Sequence, residues 1–450
     1  MTPAANDALT KDYIAAGSYQ LAAGPPRLLT ALLGTCVGIA IFDKQAGVGG
    51  LLHLLLPEPT GAAPIWQPVN YATTGLPLFL EALSQAGADR KRLTAVIAGG
   101  ALYAPISRQD LEMDIGGRTT EAAIRILQKE QIAIIKTETG GCCGASLTLN
   151  TATWETAITP IFRPPDAAPH EDFHPPSEQE LDAAIARISP IPQIALKIIR
   201  LIRQDKYSIK DLEPEIWIDQ VIAAKVLRLC NSVLVGPQQR IDSIGRALVL
   251  LGENQLIELI VTAAIDTFYQ QREGGYALMR GGLYRHSLCV ANAAKIIAAY
   301  TGRTDPETAY TAGLLHDIGK VVLDQYFVKT FPLFYQSYPL RTGDFSSLEK
   351  QTMGVDHQEI GQRLAELWNL PTTLAEVIRF HHYPEQAAVD AKLTHVVYLA
   401  DLLTSWFLAG VEQEWINTET LTSRLAALDL TPAQLPVLID KIPWQTPEYA

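Results

Sequence analysis

Residues 164–178, PPDAAPHEDFHPPSE, constrain this chain more than any other stretch. Five prolines in so short a span remove backbone donors and fix φ repeatedly, so neither a central strand nor a helix interior can run through it. Its acidic and small residues offer little to bury, and it reads as a linker. The two sides differ in pattern. Before it, short apolar runs alternate with helical periodicity; after it, nearly every segment has helical spacing. The expected architecture is therefore an α+β domain over residues 1–163 and an all-α domain over 179–408. A helical extension over 409–450 completes the chain. A length of 450 residues accommodates such a division.

In the first half, residues 12–23, 93–99, 132–139 and 145–151 read as strands, and 72–86 and 116–131 as helices. The stretch 30–57, TALLGTCVGIAIFDKQAGVGGLLHLLLP, contains two apolar runs joined by a Gly-containing turn, the pattern of neighbouring strands. Cys36 is expected on one strand and His53 on the next. A free thiol has a pKa near 8.5, and an adjacent imidazole raises the thiolate fraction by taking its proton. Gly34 permits a tight turn whose amides can face an oxyanion. The competing reading is equally physical: a cysteine in an apolar run serves as a small buried hydrophobe.

Thr30, Gly34, Cys36, Val37, Gly50, His53 and Pro57 together resemble the chemoreceptor glutamine deamidase family, CheD. The resemblance continues through IAGGA (97–101), DIGGRTTEAAIRIL (114–127) and TGGCCGASLTL (139–149), covering about residues 10–160. It implies a cysteine hydrolase acting on glutamines of methyl-accepting chemotaxis receptors, without a cofactor. Cys36 would be the nucleophile, His53 the base and Thr30 the orienting third member. A CheC-type phosphatase is an implied partner. Cys142-Cys143 depart from the family pattern and read as small packing residues or a second reactive thiol.

The helical half carries His286, His316-Asp317, His357, His381-His382 and Asp401. Its segments ISPIPQIALKIIRLI, VLRLCNS, IDSIGRALVLLG, RHSLCVANAAKI, AGLLHDIGK and IRFHHYPE resemble the HD superfamily of metal-dependent phosphohydrolases. The closer resemblance is to the HD-related output domain, HDOD. The superfamily pattern implies one metal on His286, His316, Asp317 and Asp401, with His357, His381 and His382 as a second set. Imidazole and carboxylate donors suit Mn, Fe, Co or Zn. His381 and His382 lie 100° apart if helical, so one of the two is expected to face a metal. His395 is expected on the surface or behind the ligands, and His170 and His174 in solvent. YPEQAAVD after His382 lacks the Gly-Tyr-Pro segment of cyclic-di-GMP phosphodiesterases, so that substrate is not assigned.

The bulk properties exclude several classes. The net charge is −12, with 12 Lys+Arg against 13 Asp+Glu in residues 1–165 and 24 against 35 beyond. Without a basic stripe, nucleic-acid binding is disfavoured. No apolar run approaches the roughly 18 residues of a membrane helix, and no secretory signal is visible. Five cysteines fit a reducing cytoplasm better than a disulfide framework. Three functions stay open: receptor glutamine deamidase with a regulatory helical module, non-catalytic signalling adaptor, and metal-dependent phosphohydrolase.

Overall fold

The computed structural model describes residues 9–22, 24–59, 67–101, 114–140, 144–160, 175–188, 195–196, 220–233, 244–269, 276, 282–337, 345–407 and 418–444. Most of the proline-rich stretch, Cys142-Cys143 and the helically spaced apolar residues Ile194, Ile198, Leu201 and Ile202 lie outside them. The chain divides into two compact units.

Among the described residues the first unit contains nine strands in two sheets. The four-stranded sheet has the order β1 (Thr10–Tyr13), β3 (Arg27–Leu33), β8 (Ala145–Asn150), β9 (Thr156–Pro160). The five-stranded sheet runs β2 (Ser18–Leu21), β5 (Val48–Leu54), β4 (Val37–Asp43), β6 (Thr94–Gly99), β7 (Ala133–Thr139). Helix α1 (Ala72–Gln85) and helix α2 (Ile115–Lys129) cover one face of this second sheet. Strand alternation decides the layering. Val37, Ile39, Ile41, Leu52 and Leu54 point into the core shared with Leu76, Phe79, Leu80, Ala123 and Leu127 of the helices. The intervening residues face the four-stranded sheet: a Cβ on Gly38 would meet Leu33 Cδ1 at 2.8 Å and Leu147 Cδ2 at 3.3 Å. The result is three layers, helices on sheet on sheet. Residues 94–139 make a parallel crossover, β6–α2–β7. Strands β3 and β9 are additions to the elements that the sequence pattern predicts.

The far end of the chain also contributes to this unit. Helix α15 (Leu435–Lys441) belongs to it, as do most of α14 (Thr418–Ala426) and the end of α13 (Ala391–Phe407). Gln67 Nε2 donates to Ile442 O at 3.3 Å. Burial and the Asp440 carboxylate, to which the Tyr71 hydroxyl donates, push the Tyr71 phenol up. Trp444 is buried and donates its indole N–H to Ile439 O at 2.8 Å.

The regular elements among the second unit's described residues are all helical: α3 (Glu178–Arg187), α4 (Gln220–Val233), α5 (Ile244–Leu251), α6 (Glu253–Tyr269), α7 (Gly282–Thr301), α8 (Pro306–Leu315), α9 (Ile318–Ser337), α10 (Phe345–Met353), α11 (His357–Leu367), α12 (Thr372–Phe380) and the start of α13. Several of its helices begin on side-chain caps, which satisfy amides that have no intrahelical partner. Asp305 accepts from Thr308 N at 2.8 Å ahead of α8, and Asp356 from Glu359 N at 2.7 Å ahead of α11. Ser177 and Glu180 form a reciprocal capping box at α3, a helix that the proline-rich context hides. Helices α9 and α10 likewise go beyond the sequence pattern. Gly319 permits a close crossing of α9 over α11, since a Cβ there would lie 1.9 Å from His357 O.

Candidate functional site

Two constellations stand out, one in each unit. In the first, β4 and β5 pair so that Gly38 lies opposite His53. Cys36 precedes Gly38 by two residues. It sits in the bend just before β4 rather than on the strand itself, because β3 ends at Leu33 and the chain must turn. Both residues are buried, Cys36 completely.

The Cys36 bend is gripped from behind. Gly100 N donates to Cys36 O at 2.8 Å and Ala101 N to Gly34 O at 3.0 Å. Gly99, at φ +98°, comes so close that a Cβ would lie 2.2 Å from Cys36 O. Gly116, in the first turn of α2, packs directly on Gly100. The glycines of IAGGA and DIGGR thus stack helix start, turn and cysteine bend into one column.

His53 is held by backbone. Its Nδ1 lies 3.0 Å from Ile14 O, and its own carbonyl accepts from Gly17 N at 2.9 Å. An Nδ1–H donor leaves Nε2 as the acceptor, and that atom is buried with no hydrogen-bond partner. Ile14 N in turn donates to Thr30 O at 2.8 Å. The Thr30 side chain pairs elsewhere: its Oγ1 lies 3.1 Å from Thr148 Oγ1. The ring's orienting acceptor is therefore the Ile14 carbonyl, a backbone group that no side-chain pattern reveals. Burial pushes the Cys36 thiol up. It pulls His53 down to about 4, against which the Ile14 hydrogen bond works only partly. Both groups are neutral at pH 7 in this state.

In the second unit, the break between α8 and α9 presents His316 and Asp317, and both are fully buried. His286 comes from α7 and Asp401 from α13, 2.9 Å apart. His316 Nε2 lies 3.1 Å from Asp317 Oδ2 and 3.7 Å from Asp401 Oδ1. His357 opens α11, and its Nε2 is 3.2 Å from the Nε2 atoms of both His381 and His382. Both adjacent histidines therefore face inward, contrary to the helical spacing expected. Helix α12 ends at Phe380, so the pair lies in the turn beyond it, where 100° per residue no longer applies. His395 is buried and turns back onto Ala391 O at 2.7 Å.

The arrangement fits a divalent metal. His316 Nδ1 is tied to Gly313 O at 2.7 Å, His381 Nδ1 to Ile378 O at 3.0 Å and His357 Nδ1 to Glu349 Oε2 at 2.7 Å. Each bond orients the ring and turns Nε2 inward, as ligating histidines require. Asp317 Oδ1 is buried without a hydrogen-bond partner. His357, His381 and His382 offer donor atoms within 4.8 Å of one another, and so do His286, His316 and Asp401. Sequence reasoning missed Glu349, which accepts from His357 N at 2.9 Å and binds the Tyr276 hydroxyl.

Charge is dense here. Burial works against ionisation of His316, but Asp317 and Asp401 outweigh it and raise the ring to about 10. Burial opposes the Asp317 charge too, yet His316 and Lys320 hold its carboxyl well below the usual range. His357 and His382 are driven well down by burial and by neighbouring cations. Burial pushes Glu349 up to about 8.

Fold and sites together define a two-module protein: a layered α+β domain with a buried cysteine in the bend before one strand and a buried histidine on the strand paired with it, and a helical domain with a buried cluster of histidines and aspartates. Its first part matches the family model "CheD chemotactic sensory transduction" over residues 55–160, and its second the model "HDOD domain" over 188–384. The chain belongs to the chemoreceptor glutamine deamidase family, CheD, and carries an HDOD domain beside it. It is 40% identical over 131 residues to a protein named "Probable chemoreceptor glutamine deamidase CheD" from Clostridium kluyveri, covering 29% of this chain and 81% of that one. A protein of the same name from Desulforamulus reducens is 36% identical over 146 residues, 32% of this chain and 88% of the relative. A crystal structure of an HDOD domain protein with unknown function from Geobacter sulfurreducens is 28% identical. It covers 60% of this chain and 92% of its own, with a TM-score of 0.47. No helix among the described residues is long and apolar enough to cross a membrane.

Proposed function

We propose that the first unit deamidates glutamine side chains of methyl-accepting chemotaxis receptors in the cytoplasm, and that the HDOD unit regulates or localises this activity. The reading rests on one observation: the buried Cys36 stands at the entry to β4, and on the paired β5 the His53 ring is fixed so that an unpartnered Nε2 remains. The Cys36 thiol passes its proton to His53 Nε2 as sulfur attacks the carboxamide carbon. The imidazolium then protonates the departing ammonia. His53 next takes a proton from water, whose oxygen displaces the thiolate from the thioester and leaves glutamate. Because burial keeps both groups neutral at rest, proton transfer accompanies C–S bond formation rather than preceding it. Thr30 acts through its carbonyl, which holds the Ile14 amide and thereby the strand that orients His53. No cofactor enters these steps. A CheC-type phosphatase is a further proposed partner.

Incubation with receptor cytoplasmic fragments should add about one dalton per converted glutamine, and Cys36→Ala should add none. Absence of any mass change with every cognate receptor refutes the deamidase reading. Complete burial of Cys36 favours one second reading, the non-catalytic adaptor. Resistance of Cys36 to alkylation while receptor binding persists would select it.

The second unit is proposed to bind a divalent ion of the Mn, Fe, Co or Zn type through His286, His316, Asp317 and Asp401, with His357, His381 and His382 as a second set. Such an ion would supply Lewis acidity and a hydroxide at neutral pH. The buried convergent donor set favours a metal-dependent phosphohydrolase as a further activity. Phosphatase assays on the metal-loaded protein test it, and inactivity on all phosphoesters tried would leave the metal with a structural role.

A further inference from the structure

Among the described residues four strands stand at sheet edges: β1 and β9 in one sheet, β2 and β7 in the other. An edge strand offers unpaired backbone groups to another chain, so folds keep edges short, charged or closed by proline. Strands β1 and β2 have four residues each, and β9 ends on Pro160. Strand β7, AIIKTET, has seven, and five of them are exposed, Ile135 at 56%. Four of the seven are β-branched, the type that suits a pleated ladder. Its two charged residues, Lys136 and Glu138, cancel each other and pair at 2.7 Å on one face of the strand. A bulge at Ile135, where Ala95 faces Ile134 and Val96 faces Lys136, leaves Lys136–Thr139 regular.

We propose that β7 is a docking edge for a second copy of this chain, the two β7 strands pairing antiparallel about a twofold axis at Thr137. The charge pattern selects both the occupant and the register. About that axis Lys136 of each copy lies opposite Glu138 of the other, so four charges alternate in sign around a square. On the other face Thr137 meets its own copy, a favourable cross-strand pair. Opposed residues in an antiparallel ladder must point to the same face, so the nearest alternative axes pass through Lys136 or Glu138. Either one sets two like charges directly against each other, which is destabilising. A lone lysine on an edge repels a second copy; a lysine followed two residues later by a glutamate complements it. The bulge confines the ladder to a few residues on either side of Thr137, which fits a weak, reversible dimer rather than an obligate one. Neither deamidation nor a metal is needed for this pairing.

The test is sedimentation velocity on the full chain at low salt, with every variant first matched to the wild type by circular dichroism. The weight-average mass should double reversibly between about 1 and 100 μM. Lys136→Glu and Glu138→Lys each bring like charges together twice across the axis, and each should weaken the dimer at least about tenfold. The double variant Lys136→Glu/Glu138→Lys restores the alternation and should dimerise as the wild type does. An equimolar mixture of the two single variants should dimerise as well, because each then faces its complement. A wild type that stays monomeric at about 100 μM overturns the proposal. So does a dimer that neither single reversal weakens, or one that neither the double variant nor the mixture restores.

Discussion

The two constellations solve opposite physical problems. Around Cys36 and His53, two groups that would ionise in water are kept neutral by burial, and one backbone carbonyl orients the ring. Around Asp317, ionised groups are packed so tightly that each holds its neighbours charged despite burial. A neutral pair costs little to bury and exposes its reactivity only when substrate supplies polarity. A charged network is expensive unless complete, and removing any one member leaves the others stranded.

That contrast can be broken at its strongest point first. Asp317→Ala should destabilise the second unit by about 3–5 kcal/mol in the metal-free protein, because Lys320 and His316 lose their shared counter-charge. Urea unfolding measures it; a loss under about 1 kcal/mol would mean that the network is not held by charge. In the first unit the comparable weak point is steric. Gly99→Ala combines a left-handed φ with contact against Cys36 O, and should cost about 3 kcal/mol. Deamidation should fall with it, since the bend that carries the sulfur must shift.

The pH response should separate the units on the alkaline side of about 6.5. His53 titrates near 4 when folded, below the ordinary 6.5. Its contribution to stability is complete above about 6.5 and is lost as pH falls towards 4, a few kcal/mol at most. His316 is raised to about 10, so its contribution is complete below about 6.5 and is lost as pH climbs towards 10. Glu349, raised from 4.5 to about 8, acts in the same direction from about 4.5 upwards. Calorimetry between about pH 6.5 and 8.5 should show the second unit's transition falling as pH rises while the first unit's stays level; a first-unit transition that fell in parallel would contradict the contrast. The smallest effect is expected from Thr30→Val, which loses the Thr148 partner but keeps the carbonyl. About 1 kcal/mol of stability should go while the deamidation rate stays within a few fold. A rate collapse would mean that the hydroxyl touches the chemistry.

The sequence made some of this legible and hid the rest for identifiable reasons. The β4 and β5 strands announce themselves because nearly every residue in them is apolar, and their pairing follows from the turn at 44–47. Strand β3 is obscured because it runs without a break in hydrophobicity into the Cys36 bend. The histidines and aspartates of the helical unit are visible as residue types. Their convergence is not, since it depends on helix ends at Leu315 and Phe380 that periodicity leaves uncertain. Ile14 is beyond reach: it offers a carbonyl, common to every residue. Glu349 leaves a faint trace as a carboxylate eight positions before His357, in a helix with no other distinguishing mark.

The anchoring of α15 has a practical bearing. Similarity would end the second domain near residue 384 and treat the remaining residues as dispensable. Yet Gln67 reaches forward 375 positions to the Ile442 carbonyl, and Tyr71 finds its partner in Asp440. A polypeptide cut after Phe407 would leave the CheD unit lacking its own closing clasp, like a garment missing the final button. An enzyme trimmed in that way should be judged inactive only after the missing piece has been supplied in trans.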